Sequence, residues 1–469
     1  MEKYTHPLCQ MELIEDKVPG KVQIGIYGTY LSMVLNILVS GVFGIVLVGA
    51  ANDIGGMEIY ALATSLNTAV LCGCIPVFGK IAMMADRKKM LVIGAIGYAA
   101  LIIACAFCPT MISIIGVALL LGVFGAMMTS VGYTVVGDVV GEKLRAPWLS
   151  IFTMIMNIGN LGFPLICGFL LDYATWRICF IVLSIFPLVG GLLAWSCLPN
   201  YKKIEIEKMK LDVGGAIFLM IALAGLILTL SLGFSFAPFG SKIGNILLGV
   251  TIVAFIILFV IEKGQGDNAV FPTVVLKNRN ALLIFLQSIT GHSATLALAA
   301  FLALYMTTVM QTTASQASLS VTVSGILGIF VSPIFGRYCG KKGTTAQVII
   351  LCSVVNIVFC LLFIYTVGPK VPIMLIYVIR FFTSLPGVSC NLGVNVGMQM
   401  LVPEEIRAQA AAAGGLSAQL GVALSVAIFT GVLAGFGVEK GFMICMWITV
   451  LFSALTILLT LPIKNSNDL

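Results

Sequence analysis

Long uninterrupted apolar runs constrain this chain more than any other feature. A helix needs about 20 apolar residues to cross the hydrocarbon core of a bilayer. Fourteen runs of roughly this length lie at about 24–50, 57–82, 90–108, 111–140, 147–171, 178–198, 212–233, 243–262, 281–306, 316–336, 345–367, 372–399, 406–436 and 441–462. Composition agrees, because 60% of the 469 residues are hydrophobic and only 10% are charged, unlike any soluble domain of this length. The predicted fold class is an all-α integral membrane protein with fourteen transmembrane helices.

The basic residues predict the orientation of these helices. Of the 26 Lys and Arg residues, 21 fall in the two tails and in alternate loops. The loops on the other side contain only Arg177, Lys242, Lys370 and Lys440. Loops rich in Lys and Arg stay on the cytoplasmic side, so we expect a multi-pass protein of the cell membrane with both termini in the cytoplasm. The same sorting accounts for the net charge of +7 without a nucleic-acid partner.

Arg380 is the one basic residue that departs from this sorting. It lies inside the twelfth run, "VPIMLIYVIRFFTSLPGVSC". A charged side chain near the middle of a bilayer is costly and marks a functional site by default. The sequence places no Asp or Glu at comparable depth to pair with it. The unpaired guanidinium therefore predicts a site for an anion.

The sequence argues against metal, cofactor and enzyme chemistry. The 13 cysteines are scattered through apolar runs, and the CxxC formed by Cys105 and Cys108 has no second pair. The chain contains only two histidines, His6 and His292, so we expect no metal site. There is neither a phosphate-binding GxxxxGK[ST] loop nor a long polar segment that could form an ATPase domain. We therefore expect no enzyme activity, no cofactor and no ATP-driven transport.

An internal repeat predicts the domain organisation. "CIPVFGK" (74–80) matches "VSPIFGR" (331–337), and "GEKLRA" (141–146) matches "PEEIRA" (403–408). The nearly constant offset indicates a duplication that pairs two six-helix bundles in parallel orientation, with two helices inserted between them. The predicted segments are a tail at 1–23, a bundle at 24–198, a linker at 199–211, inserted helices at 212–262, a linker at 263–280, a bundle at 281–462 and a tail at 463–469.

Two segments carry further motifs. They are "GKIAMMADRKKM" (79–90), after the second run, and "NIGNLGFPLICGFLLDYATWRICF" (157–180), in and after the fifth run. They resemble the loop after helix 2 and the antiporter motif of helix 5 in the major facilitator superfamily, specifically its fourteen-helix branch with many drug:proton antiporters. The resemblance covers nearly the whole chain. It implies a secondary transporter, expected to be a monomer, whose two bundles rock around a central site.

The chain departs from this family at positions that matter for coupling. Met83 stands at the acidic position of the loop after helix 2, and Asp86 stands at the following glycine. The acidic residue of helix 1 and the basic residue of helix 4 in the drug antiporters correspond to Val39 and Ala118, and the repeat aligns Ala118 with Arg380. The resemblance implies that coupling or gating residues are His292, Asp86, Arg87, Asp138, Arg145, Gly162, Pro164 and Gly168.

The resemblance also implies that helices 1, 4, 9 and 12 line the central cavity. Candidate substrate-binding residues in these helices are Arg380, His292, Ser288, Ser384, Asn36, Ser40, Thr129 and Tyr133. Small polar side chains in membrane helices also serve simply to hold helices together, and that alternative remains open for each of them. His292 lies roughly 17 Å from the inner end of its run and Arg380 roughly 12 Å from the outer end of its own. In a core of about 30 Å these two residues are expected at nearly the same depth.

The sequence therefore predicts a secondary transporter for a small organic anion, of the amphipathic carboxylate type. A guanidinium can hold a carboxylate by two parallel hydrogen bonds, and His292 could carry a coupled proton. One alternative is a multidrug exporter driven by proton antiport. Another is a membrane sensor that uses the same fold without transport, since fold alone does not determine function.

Overall fold

The computed structural model describes residues 3–5, 12–14, 18–56, 59–200, 212–232, 240–265, 277–312, 314–342, 345–366, 371–398 and 407–463. Helices dominate this part of the chain, and every predicted apolar run coincides with a helix or a group of short helices. Two short strands near the N-terminus, β1 (Lys3–Thr5) and β2 (Glu12–Ile14), pair antiparallel. The predicted all-α membrane architecture is confirmed.

The helices are numbered in chain order. They are α1 (Gly20–Ile54), α2 (Tyr60–Met84), α3 (Arg87–Ala106), α4 (Met111–Val139), α5 (Glu142–Tyr173), α6 (Trp176–Cys197), α7 (Val213–Leu232), α8 (Lys242–Gln265), α9 (Arg279–Thr308), α10 (Ala314–Lys342), α11 (Thr345–Thr366), α12 (Ile373–Phe382), α13 (Leu385–Leu392), a π-helix (Gly393–Gly397), α14 (Arg407–Phe436) and α15 (Val438–Thr460).

The apolar character of these helices is sufficient for a multi-pass membrane protein. Among the described residues, eight helical segments are long and apolar enough to cross a bilayer, and three shorter apolar segments accompany them. Backbone groups in hydrocarbon have no water to bond, so helices, which bond their own backbone, suit this environment. The count of fourteen crossings and the division into two repeated bundles stay predictions.

The first six helices pack closely on one another. Helix α1 lies along α6, α2 along α4, and α3 against both α4 and α6. Gly28 of α1 meets Gly190 of α6, where a Cβ on Gly28 would come within 2.9 Å of the Gly190 carbonyl oxygen. Only glycine permits two helix backbones to approach this closely. This contact brings the backbones of α1 and α6 close together at this point.

The later helices form a second packed group. Helix α9 packs against α14 and α15, and α11 packs against α15. An aromatic cluster lies among them: the rings of Tyr305 and Phe442 stack at 4.7 Å between centroids, and Phe363 meets Phe442 edge-on at 5.7 Å. Aromatic pairs in these geometries add stability beyond the area that they bury.

Two long seams join the two groups of helices. Helix α5 runs along α10, and α2 runs along α14. At the first seam, a Cβ on Gly336 of α10 would overlap the Ser150 side chain of α5. At the second seam, a Cβ on Gly415 of α14 would lie 3.5 Å from the Thr129 methyl group of α4. Helix α7 packs on α2 and α14 beside the second seam, with α8 outside it.

The twelfth apolar run, predicted at 372–399, forms one span that contains an irregular turn, called the break below. Helix α12 ends at Phe382, a turn at Thr383 and Ser384 follows, and α13 begins at Leu385. Pro386 has no backbone N–H and cannot bond the carbonyl of Phe382, so the regular helix ends there. Interrupted membrane helices occur where backbone is buried in protein or lines a cavity. The break lies one turn from Arg380.

Candidate functional site

Arg380 is buried in the last turn of α12, directly before the helix break. Its side chain is 5% exposed. Its Nε and Nη1 atoms have no hydrogen-bond partner, and it makes no ion pair with any residue in the described part of the chain. A cation at a helix C-terminus is favoured by the helix dipole, but that interaction leaves the N–H donors unsatisfied. These donors are free to bind an anion.

Two backbone carbonyls beside the break accept hydrogen bonds from local hydroxyl groups and not from the guanidinium. The Thr383 hydroxyl donates to the Arg380 carbonyl at 3.3 Å, and the Ser384 hydroxyl donates to the Phe381 carbonyl at 2.7 Å. Ser384 was predicted to bind substrate, and here its hydroxyl is engaged with its own helix. On α11, the Cys360 thiol lies close enough to Arg380 to interact with it electrostatically.

His292 lies in the middle of α9, 4% exposed, with one ring nitrogen engaged and one free. Its Nδ1 lies 2.9 Å from the Ser288 carbonyl oxygen and 3.2 Å from the Ser288 hydroxyl. Because a carbonyl only accepts, Nδ1 must carry the proton and Nε2 the lone pair in the neutral ring. Nε2 has no hydrogen-bond partner among the described residues, although the Asn391 side chain of α13 is adjacent. The predicted pairing of Ser288 with His292 on one face is present.

Arg380 and His292 do not lie at the same depth, and this expectation is wrong. Helix α9 packs antiparallel to α13, with Thr295 beside Gly387. Arg380 lies seven residues outward from Gly387, which places it level with Leu302, and its neighbour Ile379 belongs to the same apolar cluster as Leu302. Leu302 is ten residues from His292, or roughly 15 Å along the helix. Helix α9 has 30 residues, so it is longer than the membrane core is thick. A depth counted from the inner end of α9 therefore cannot be compared directly with a depth counted from the outer end of another helix.

Gln287 is a polar residue near His292 that the sequence analysis did not select. It is fully buried, its Nε2 donates to the Cys390 sulfur at 3.2 Å, and its Oε1 has no partner in the described part of the chain. Gly291 and Gly393 leave room for these groups between α9 and the segment after the break. The sequence signal was present, because Gln287 lies one residue before Ser288, at the start of the polar stretch of α9 that contains His292.

The candidates on α1 and α4 make contacts between helices: Asn36 joins α1 to α4, and Tyr133 packs on α5. The Asn36 amide donates to the Thr129 hydroxyl at 2.8 Å and to the Gly125 carbonyl at 3.1 Å. The Tyr133 ring meets Phe152 edge-on at 5.1 Å. Asn36 thus bonds one helix to another, as small polar residues in membrane helices commonly do, and its part in substrate binding stays a prediction. The side chain of Ser40 lies outside the described residues.

The predicted gating residues meet within the first group of helices. Arg87 donates through Nη1 to Asp138 at 2.7 Å and through Nε to the Ala82 carbonyl at 3.0 Å, and both side chains are buried. Arg145 donates to the Gly137 carbonyl at 3.0 Å. Asp86 caps α3 by accepting from the Lys89 N–H at 3.2 Å. The Arg87–Asp138 pair therefore ties the start of α3 to the end of α4, and not one group of helices to the other.

The glycine and proline positions of the fifth run fall on one unbroken helix, α5. A Cβ placed on Gly162 would have no neighbouring side chain within 4 Å among the described residues. Pro164 and Gly168 are helical, but their side-chain environment lies outside the described residues. Asn157, one turn earlier, packs on Gly328 of α10. Among the described residues, no group of three or more His, Cys, Asp or Glu side chains could hold a metal ion.

The comparisons with known proteins agree with one another on the family that this chain resembles. The family profile described as Major Facilitator Superfamily matches residues 29–261. The chain is 24% identical over 314 residues to Multidrug resistance protein 3 of Bacillus subtilis (strain 168), covering 65% of this chain and 60% of that protein. It is 22% identical over 343 residues to Multidrug transporter protein MdtP of the same organism, covering 72% of this chain and 62% of that protein. The alignments span less than two thirds of these relatives.

Solved structures with the same fold cover nearly the whole chain. The human organic anion transporter MFSD10 (TETRAN) superposes with a TM-score of 0.61 at 13% identity, covering 93% of this chain and 100% of that one. A peptide transporter, POT, in complex with sulfate gives a TM-score of 0.61 at 16% identity, covering 94% and 93% of the two chains. At these identities the similarity is one of fold.

Proposed function

This chain belongs to the major facilitator superfamily, and we propose that it is a secondary transporter of a small organic anion that works by alternating access. The proposal rests on the guanidinium of Arg380, which is buried and has two N–H groups without a partner in the described part of the chain. An uncompensated charge at this depth is costly. A bound carboxylate would accept a hydrogen bond from one of these N–H groups and neutralise the charge.

The surroundings of Arg380 favour an amphipathic anion. Leu302, Ile376 and Ile379 belong to the apolar cluster at its level, and the stacked rings of Phe359 and Phe382 lie nearby, 4.4 Å apart. Such walls suit a hydrocarbon chain that carries one carboxylate. Protons are the proposed coupling ion, with His292 as their acceptor, and both termini are proposed to be cytoplasmic.

The experiment compares decanoate with decyltrimethylammonium, two amphiphiles of opposite charge, using the purified protein in liposomes. We expect saturable flux of decanoate and none of the cation. Arg380→Ala should abolish the decanoate flux while its melting temperature stays near the wild-type value, because local hydroxyl groups, and not the guanidinium, bond the two carbonyls beside the break. Arg380→Lys keeps the charge without the planar fork and should bind decanoate only weakly. Arg279→Ala, an exposed position at the start of α9, is the matched control.

A purely structural role for Arg380 would give the opposite pattern. Both variants would then unfold or fail to reach the membrane, because the guanidinium would be supporting backbone groups that lack other partners. Robust flux of the cation in wild-type protein would also reject the anion proposal.

A multidrug exporter is the second candidate, because two relatives carry multidrug names. The proposal of anion selectivity is favoured by the positions of the carboxylates in the described helices and their caps. Asp138 is paired with Arg87, and the others lie at or near helix ends: Asp53, Asp86, Glu142, Asp172, Asp212, Glu262 and Glu439. Exporters of cationic drugs would need an acidic group within the cavity to hold the charge. A membrane sensor on the same fold is separated from both by measuring flux, which a sensor lacks.

A further inference from the structure

An open pocket of about 630 Å³ lies far from Arg380, where α1 ends and α5 turns into α6. Its lining residues are Gly49, Asn52, Asp53, Leu171, Ala174, Thr175 and Trp176. Under the proposed orientation, this pocket is on the outer side of the membrane. Neither the proposed transport site nor the helix seams use it.

The single formal charge on the pocket wall is negative. Asp53 is exposed, and its Oδ2 accepts the indole N–H of Trp176 at 2.9 Å. It makes no ion pair with a residue in the described ranges. Arg177 lies over the Trp176 ring, with its Cζ 4.3 Å from the ring centroid, and is not part of the pocket lining. The indole holds the carboxylate in place without neutralising it.

The helix ends add to this negative charge. Helix α1 ends at Ile54 and α5 ends at Tyr173, and neither helix has a basic residue in its last turn. The C-terminus of a helix carries a partial negative charge, which disfavours a carboxylate there and favours a cation. Two negative C-terminal ends meet at the pocket, whereas only one positive N-terminal end, that of α6 at Trp176, is present there. Among the described residues that line the pocket, none carries a positive charge.

The position and the other walls favour an amphiphile over an inorganic ion. Leu171 and Ala174 give the pocket an apolar side, and Trp176 and the exposed Tyr173 are residue types that concentrate at the membrane–water interface. We propose that this pocket binds the primary ammonium group of an amphiphile, with Asp53 as its counter-ion. That chemistry belongs both to the headgroup of phosphatidylethanolamine and to a free alkylamine.

Binding is tested on the purified full-length protein with hexylammonium and, as a neutral probe of the same length, 1-hexanol. We expect saturable binding of hexylammonium that Asp53→Asn weakens about fivefold, the scale of an exposed ion pair. Asn can still accept the Trp176 hydrogen bond, so the pocket keeps its shape. Glu439→Gln removes an exposed carboxylate in the first turn of α15 and should leave binding unchanged.

A second variant tests the site while keeping Asp53. Thr175→Lys places an ammonium on the pocket wall, so it should raise the melting temperature and remove the response to hexylammonium. Native mass spectrometry from nanodiscs identifies the source of the ammonium group. If Asp53→Asn retains less phosphatidylethanolamine than the wild type, the ligand is a lipid headgroup. If Asp53→Asn retains the lipid equally but loses hexylammonium binding, the ligand is a soluble amine. Equal binding by wild type and Asp53→Asn, or equal binding of 1-hexanol, overturns the proposal.

Discussion

Arg380 and His292 present opposite hydrogen-bonding chemistry at two different levels of the membrane. A guanidinium only donates, so the free groups of Arg380 suit an anion. The free Nε2 of a neutral His292 is an acceptor, so it suits a proton. Because the two are roughly 15 Å apart along α9, we infer that substrate and proton occupy separate sites. Coupling between them would then pass through the contact of α9 with α13.

The first prediction concerns the proton site. Imidazole has an ordinary pKa near neutrality, so His292→Ala should flatten the dependence of anion flux on pH between about 5 and 8, while some exchange of anion remains. The measurement is decanoate flux in liposomes across that range. His6→Ala, at the other histidine of the chain, is the matched control and should keep the wild-type profile. An unchanged profile in His292→Ala would assign coupling to another group or to none.

At the scale of the element, the sequence predicted where helices lie better than how they are interrupted. Apolar length is a property of the sequence itself, and α9, α11 and α15 each follow a predicted run closely. The break before α13 depends on Pro386 together with hydroxyl groups that bond the Arg380 and Phe381 carbonyls, and these contacts require the folded geometry. The relative depth of Arg380 and His292 was missed for a similar reason, because helix packing and not run length sets it.

The second prediction concerns this break. Pro386→Ala restores a backbone N–H that can bond the Phe382 carbonyl, so a continuous helix should form. Removing a proline from a helix can stabilise it by up to about 3 kcal/mol, so the melting temperature should rise. Decanoate binding should weaken, because a continuous helix turns Arg380 relative to α13. Pro187→Ala, inside α6, is the control and should leave binding unchanged. Unaltered binding in Pro386→Ala would show that the break has no part in holding the anion.

At the scale of the whole molecule, the close contacts between the two groups of helices lie mainly toward the side of the membrane that carries the basic loops. Gly336 meets Ser150 near the basic end of α10, and Gly328 meets Asn157 near its middle. Leu392 and Val396, from the segment after the break, join the apolar cluster of the first helices. If the basic loops are cytoplasmic, these contacts close the cytoplasmic side. Transport by alternating access then requires that both seams separate during the cycle.

The third prediction tests that separation directly. Gly415 of α14 and Thr129 of α4 face each other, with 3.5 Å between a built Cβ and the Thr129 methyl carbon. Because a γ atom of Thr129 reaches the Cβ position of Gly415, cysteine side chains at the two positions are within reach of each other. The double variant Thr129→Cys/Gly415→Cys should therefore cross-link on oxidation, stop anion flux, and recover it on reduction. Each single variant, in the background of the 13 native cysteines, controls for oxidation elsewhere. A cross-linked protein that still transports at the wild-type rate would mean that the two groups of helices do not rock apart, and that alternating access about this seam is wrong.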